Sequence, residues 1–196
     1  SSVKNDTIGG FNEFLKTQKE TEGRCDLTFV KFSNEYKVVH DMKNIQEVPE
    51  LDNNTYYPMG GTALLDALGF AIDSIGAKLA DMDEENRPAK VIIAVLTYGE
   101  ENSSREYHRD QIFDSITVQQ DTFSWEFVFL GAGQDAIAVG QQYGFMTEKS
   151  VTYSGAKTGQ TLSSLGGKMS HVRRCVARGA SADMSYTADE RKEVGE

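Results

Sequence analysis

The most constraining feature of the sequence is an uninterrupted apolar run near its middle. Residues 89–97 read AKVIIAVLT, and β-branched side chains recur along the run. A strand with one solvent-facing side alternates apolar and polar residues, whereas a continuous run is typical of a strand covered on both faces. Such strands belong to parallel sheets with helices above and below, so the run predicts an α/β fold.

Segments of alternating strand and helix pattern flank this run and extend the prediction to most of the chain. Further strands are predicted at 25–33, 35–42, 124–132 and 149–153, and helices at 4–22, 62–82, 104–118, 134–143 and 158–176. The short Ser33-Asn34 turn predicts a hairpin between the first two strands. The sequence thus predicts a three-layer, Rossmann-like α/β domain over residues 1–178, with a mostly parallel sheet and one antiparallel hairpin strand. A polar, loosely held tail is expected over residues 179–196, with the alternative that its SADMSYT segment docks.

Charge and cysteine content narrow the classes of partner and compartment. The formal net charge of −10 argues against a nucleic-acid backbone or an anionic membrane as the main partner. Cys25 and Cys175 lie far apart without metal-ligand spacing, which favours free thiols in a reducing compartment. No apolar run approaches the roughly 20 residues of a membrane span, and no leader pattern opens the chain. A soluble, cytoplasmic protein is therefore expected.

Four segments in chain order resemble the von Willebrand factor A (VWA) domain family, especially its small single-domain members from bacteria and phages. They read IGGFNEFLKTQ, YYPMGGTALLDALG, VIIAVLTYGEENSS and FVFLGAGQDA. The resemblance implies a non-catalytic binding domain, in the host cytoplasm if a phage encodes it. Family members hold a divalent cation, usually Mg²⁺, at the carboxyl ends of the strands. Their ligands come from an Asp-x-Ser-x-Ser run, a Gly-Gly-Thr threonine and an aspartate ending the fourth strand.

Most of these ligand positions are altered in this chain. Thr62 matches the threonine, but Tyr98 stands where the aspartate belongs. The Asp-x-Ser-x-Ser run is absent, and Ser1 and Ser2 resemble the residues that follow it. A neutral tyrosine is a poor ligand for a hard cation. We therefore expect a degenerate cation site with a vestigial Thr62 and no cofactor.

Magnesium binding remains an alternative if other oxygen ligands complete the coordination shell. The candidates are Asp66, Glu100 and Glu101, or a segment upstream of this chain that carries the missing metal loop. The same residues also have structural interpretations, since Asp66 lies early in a helix and Glu100-Glu101 resembles an ordinary acidic turn. A metal-dependent binder is thus one alternative function.

The family's first strand, which is central in the sheet, is also missing from this chain or replaced. Its absence would leave unpaired backbone groups between the hairpin and the strand at 89–97. Three outcomes are open: the flanking strands pair directly, another copy or a partner donates a strand, or the chain is part of a longer product. If the chain is complete, we expect direct closure or self-association through the open edge.

The functional prediction is recognition of a protein partner by an uncharged aromatic and hydroxyl surface. The predicted binding residues are Tyr56, Tyr57, Met59, Thr62, Tyr98, Gly99 and Glu100. An enzyme is not expected, because the sequence offers no nucleophile with an adjacent base. A small-ligand binder of phage origin is a further alternative, with a phosphate or nucleotide at the turn Gly131–Asp135 and the helix start behind it.

Overall fold

A computed structural model describes residues 2–56 and 60–195 of the chain. Tyr57 and Met59, both predicted binding residues, lie outside the described residues. The helices are α1 (Ser2–Glu20), α2 (Leu64–Asp81), α3 (Arg109–Phe123), α4 (Ala136–Gln142), α5 (Thr158–Ala177) and α6 (Ala188–Val194). The strands are β1 (Asp26–Phe32), β2 (Tyr36–Asn44), β3 (Ile92–Thr97), β4 (Glu126–Ala132) and β5 (Ser150–Tyr153). None of the described helices is long and apolar enough to span a membrane.

The strands form two separate sheets. β3, β4 and β5 pair in that order in a parallel sheet, and β1 and β2 form an antiparallel hairpin. The predicted α/β class, the parallel strands and the hairpin are confirmed. The prediction of one continuous sheet is wrong, and so is direct closure of the flanking strands. In the described part of the chain, no backbone hydrogen bond joins β1 to β3.

β1 and β3 nevertheless run in the same direction. α1 starts beside the carboxyl end of β3, where the Thr7 hydroxyl lies 2.9 Å from the Tyr98 hydroxyl. β1 ends at the same edge, because the Ala63 N–H, near the start of α2, donates to the Ser33 carbonyl at 2.6 Å. α1 therefore crosses back over the sheet layer between this edge and the amino end of β1.

Two hydrophobic clusters cover the opposite faces of the strand layer. One cluster holds side chains of α1, α5 and the C-terminal segment, among them Phe11, Phe14, Leu15, Leu162 and Met184. The other cluster holds side chains of α2 and α3, among them Leu64, Leu68, Ile72, Ile112 and Ile116. All seven residues of β4 are buried, because this strand has a neighbour on each edge and helices on each face.

The apolar run that predicted the fold is less buried than expected. Val95 and Thr97 of β3 are buried, whereas the other residues are half-buried: Ile92, Ile93, Ala94 and Leu96. Every residue of β1 is also half-buried. Among the described residues β3 has a hydrogen-bonded neighbour on one edge only, which leaves its side chains less covered than those of β4.

The C-terminal segment is packed and not loosely held, which corrects the expectation for residues 179–196. Met184, Tyr186 and Val194 are buried in the first cluster. The Tyr186 N–H donates to the Glu148 carbonyl at 2.8 Å, and the Arg191 guanidinium donates to the Ser150 carbonyl at 2.7 Å. These bonds attach the segment at the start of β5 and just before it.

Candidate functional site

The predicted binding residues with described positions gather where β3 ends, and we call this region the carboxyl edge: Tyr56, Thr62, Tyr98, Gly99 and Glu100. Gly99 lies against Thr62, since a Cβ at Gly99 would be 3.1 Å from the Thr62 hydroxyl. Tyr98 is 38% exposed, Glu100 is exposed and Thr62 is buried. The carboxyl edge therefore presents the Tyr98 ring and the Glu100 side chain to solvent.

Short-range hydrogen bonds shape the turn that presents Tyr98. The Thr97 hydroxyl donates to the Gly99 carbonyl at 2.8 Å and accepts the Gly99 N–H at 3.3 Å. On the neighbouring loop, the Thr62 N–H donates to the Asn102 side-chain oxygen at 3.0 Å. Both contacts arise because β3 ends where the loop before α2 returns to the same edge of the sheet.

The Tyr98 hydroxyl belongs to a group that we call the hydroxyl cluster: Thr7, Tyr56, Tyr98, Tyr153 and Thr158. Tyr98 donates to the Thr158 hydroxyl at 2.8 Å and lies 2.9 Å from the Thr7 hydroxyl. The Tyr98 and Tyr153 rings meet edge to face, with centroids 6.1 Å apart. The cluster thus links the first turns of α1 and α5 to the ends of β3 and β5, and it fixes Tyr98 at its tip. No sequence periodicity connects Thr7 or Thr158 to this site.

Three hydroxyls of the hydroxyl cluster, those of Thr7, Tyr98 and Thr158, make four hydrogen-bond contacts with three hydrogens. Thr7 donates to the Val3 carbonyl and Thr158 donates to the Gly155 carbonyl, each at 2.8 Å. Each hydroxyl carries one hydrogen, so the 2.9 Å contact between Thr7 and Tyr98 is filled only when another bond is given up. The three hydroxyls are therefore coupled, since a hydrogen given to one contact is withdrawn from another.

Two phenols of this cluster, Tyr56 and Tyr153, stay neutral at physiological pH. Burial raises the pKa of Tyr153 and, to a smaller extent, that of Tyr56. A protonated phenol lacks the charge that makes carboxylates good ligands for Mg²⁺. What the cluster offers chemically is hydrogen bonding and aromatic surface.

Asp66 holds the loop between β3 and α3. Its carboxylate accepts the backbone N–H groups of Arg105, Glu106 and Tyr107 at 2.8, 2.9 and 2.9 Å. Burial raises the pKa of Asp66, but these three hydrogen bonds outweigh burial and lower the pKa below its usual range. They also explain why α3 begins at Arg109 and not at residue 104 as predicted.

The Glu101 carboxylate also accepts hydrogen bonds from backbone N–H groups. Its two carboxylate oxygens accept the backbone N–H groups of Leu65, Ser103 and Ser104 at 2.9, 2.9 and 2.8 Å, and the Ser104 hydroxyl at 2.8 Å. The bond to Leu65 satisfies a free N–H in the first turn of α2. Glu101 is therefore a helix cap supplied from a distant loop, a role that its local sequence does not reveal.

The stability of the protein is expected to fall steeply in acid because of these two carboxylates. The folded-state pKa values of Asp66 and Glu101 are lowered by their N–H donors. Their stabilisation is present above the unfolded pKa values of about 3.9 and 4.3 and is lost as pH falls through the folded values. Urea unfolding at pH 7 and pH 3 measures this loss. An Asp66→Asn/Glu101→Gln double variant should show a flatter pH dependence, and an equally steep one would contradict the assignment.

Oxygen ligands for a cation are sparse around Thr62. Within residues 2–56 and 60–195, no three His, Cys, Asp or Glu side chains gather in a group that could hold a metal ion. Glu100 is an exposed carboxylate in the turn after β3, and Asp66 and Glu101 are each bound to backbone N–H groups. Thr62 and Glu100 are thus the side chains of the carboxyl edge whose oxygens could take part in binding a cation.

The turn Gly131–Asp135 is closed by one of its own side chains and by one from β5. Asp135 accepts the Ala138 N–H at 3.0 Å, and Thr152 accepts the Ala136 N–H at 3.1 Å. Two of the N–H groups at the start of α4 are therefore already used, and Asp135 adds a negative charge. The geometry does not favour an anion at this turn.

The chain was compared with family models, curated proteins and solved structures, and none of them matches. The resemblance to VWA domains rests on the four sequence segments and on their order along the chain. Roles for the residues of the carboxyl edge therefore follow from geometry and chemistry.

Proposed function

We propose that this chain is a non-catalytic binding domain of the VWA type that recognises a protein partner at its carboxyl edge. The observation that carries the proposal is that Tyr98 is exposed to solvent while its hydroxyl is fixed by hydrogen-bond contacts. Its ring is 38% exposed, while its hydroxyl is held by Thr7 and Thr158. A large aromatic side chain fixed before binding loses little entropy on association, and such residues dominate binding energy at interfaces.

The neighbouring carboxylates support recognition without a metal bridge. Asp66 and Glu101, which could complete a cation site, are bound to backbone N–H groups of the loop and of α2. A metal-dependent binder would need carboxylates in addition to Glu100, such as those of a segment outside the described residues. Tyr98 occupies the aspartate position of the resemblance and puts a neutral aromatic contact there.

The arrangement of the elements supports the finer assignment of fold and compartment. In VWA domains, which this chain resembles, the first strand lies between the hairpin and the apolar strand. Among the described residues, β1 and β3 are not paired with each other at that place. The two cysteines are free, which fits a reducing compartment. We therefore assign the protein to the VWA type and place it in the cytoplasm as parts of this proposal.

A Tyr98→Ala variant is expected to weaken partner binding by about 30-fold, the effect of removing an interface hot spot of about 2 kcal/mol. A partner is first isolated by cross-linking to the wild-type chain, and its dissociation constant is then measured with purified components. Phe123→Ala is the matched control. Phe123 is 60% exposed at the far end of α3, and its loss should leave the affinity unchanged.

Two outcomes would contradict this proposal. Equal affinity of the Tyr98→Ala variant and the wild type for the partner would show that the carboxyl edge is not part of the interface. Loss of binding on chelation of magnesium, with recovery when the metal is returned, would establish the metal-dependent alternative.

A further inference from the structure

The helices that follow β4 and β5 lie on opposite faces of the parallel sheet. α4 packs in the cluster of α2 and α3 through Ala136 and Tyr143. α5 packs in the cluster of α1 through Leu162 and Leu165. The chain therefore leaves two neighbouring parallel strands toward opposite sides, and a crevice lies between the two turns at their carboxyl ends. In α/β sheets, ligands bind in crevices of this kind.

A cavity of about 660 Å³ lies at this place, and we call it the β4–β5 crevice. It is lined by residues 133–135, by residues 152–155 and by Gly195. The first range is the turn between β4 and α4, and the second is the end of β5 with the residues that follow it. The volume falls within the range of about 300–1,000 Å³ that is usual for small-molecule sites.

One side chain that lines the crevice, that of Gln134, has a buried amide without hydrogen bonds. Neither its nitrogen nor its oxygen has a partner among the described residues. The amide folds back over Gly131 at the end of β4, where a Cβ at Gly131 would lie 3.0 Å from the amide nitrogen. Buried polar groups are nearly always hydrogen-bonded, so an unpaired donor and acceptor beside a cavity point to a ligand.

The position of Gln134 lets its amide reach such a ligand. Gln134 stands in the turn before α4 and lines the crevice, so rotation about its side-chain bonds carries the amide from Gly131 to the cavity. A ligand that offers both a donor and an acceptor draws the amide outward, because the folded-back position leaves both amide atoms without bonds.

The charge of the crevice limits the class of ligand. Of the described residues that line it, Asp135 is acidic and none is basic. Asp135 and Thr152 also occupy two N–H groups at the start of α4 that an anion would need. An anionic ligand would therefore meet a like charge without compensation. The crevice suits an uncharged molecule.

We propose that the β4–β5 crevice binds an uncharged small molecule through an edge with a hydrogen-bond donor beside an acceptor, as in a carboxamide or the lactam edge of a nucleobase. The Gln134 amide forms two hydrogen bonds with that edge: its NH₂ group donates to the ligand oxygen, and its oxygen accepts the ligand N–H. This inference goes beyond the proposed function, because partner recognition at Tyr98 requires no small molecule.

Benzamide and benzoate are suitable probes, because they share a ring and differ in carrying a carboxamide or a carboxylate. In an NMR titration, benzamide should shift the backbone amide signals of residues 133–135 and 152–155 together with the side-chain NH₂ signals of Gln134. Benzoate should bind at least about 10-fold more weakly, because it offers no donor and is repelled by Asp135.

A Gln134→Met variant keeps the length of the side chain and removes both hydrogen-bonding atoms. It should weaken benzamide binding at least about 10-fold, the effect of losing one or two net hydrogen bonds. It should also raise the midpoint of thermal unfolding, because no unpaired polar atom then remains buried over Gly131. Gln160→Met is the matched control, since Gln160 is exposed on α5, and it should change neither quantity.

Four results would overturn the inference. They are the absence of shifts at both turns with benzamide up to its solubility limit, equal affinity for benzoate, unchanged benzamide binding by Gln134→Met, and a lower unfolding midpoint of that variant. The last result would show that the amide has a partner in the folded protein. The test of the proposed function measures partner binding at Tyr98, so the two can fail independently.

Discussion

Replacement of Glu126 by glutamine is expected to lower the free energy of unfolding by about 3–5 kcal/mol, the usual effect of breaking a buried ion pair. Glu126 is buried at the start of β4, where its carboxylate binds Lys90 Nζ at 2.8 Å and Lys149 Nζ at 2.5 Å. Lys149 is itself buried, so the variant leaves its ammonium in the core without the opposing charge. Urea unfolding at pH 7 measures the change.

An exposed ion pair provides the control for this prediction. Asp189 and Lys192 lie 3.6 Å apart on the surface of α6, and Asp189→Asn should change stability by less than about 0.5 kcal/mol. A Glu126→Leu/Lys149→Met double variant should recover most of the loss, because the buried position 149 then carries no charge, while Lys90 is 21% exposed and can be hydrated. A loss below about 1 kcal/mol for Glu126→Gln would show that solvent or another carboxylate compensates Lys149.

Removal of the Asp66 carboxylate is expected to cost about 3 kcal/mol, since three backbone N–H groups lose a charged acceptor. The affected amides belong to Arg105, Glu106 and Tyr107 in the loop before α3. Asp66→Ala should therefore lower the unfolding free energy and also speed hydrogen exchange at these amides selectively. The second effect separates loss of the loop anchor from a general loss of stability.

Asp114→Ala is the matched control, because Asp114 is exposed on α3. It should leave both the unfolding free energy and the exchange of the loop amides unchanged. Asp66→Asn keeps one oxygen and should fall between the wild type and Asp66→Ala. Unchanged exchange of the loop amides in Asp66→Ala would show that the loop is held by other contacts.

Much of the secondary structure follows from local patterns. Phe11, Phe14 and Leu15, which gave the first helix its apolar spacing, are buried in α1. The short Ser33-Asn34 turn predicted the β1–β2 hairpin, and the structure confirms it. These predictions succeed because the period of a helix or a strand is visible in the spacing of apolar residues along a short segment.

The parts of the site that sequence reasoning missed depend on distant contacts. Asp66 binds backbone groups 39 to 41 residues away, and nothing near Asp66 in the sequence marks that role. In the core, Met184 and Tyr186 belong to the SADMSYT segment, where docking was one alternative, and the folded chain buries both against the first cluster. Only the folded chain brings such residues to their partners.

The apolar run at 89–97 shows where sequence information ends. The run alone determined that β3 has helices on both faces, since its side chains point toward those faces. It could not determine which strands lie beside β3, because pairing uses backbone groups that every residue carries. Among the described residues, the tertiary structure decided that β3 has one hydrogen-bonded neighbour. It also brought Thr7 and Thr158 to the Tyr98 hydroxyl, and these contacts are the basis of the proposed function.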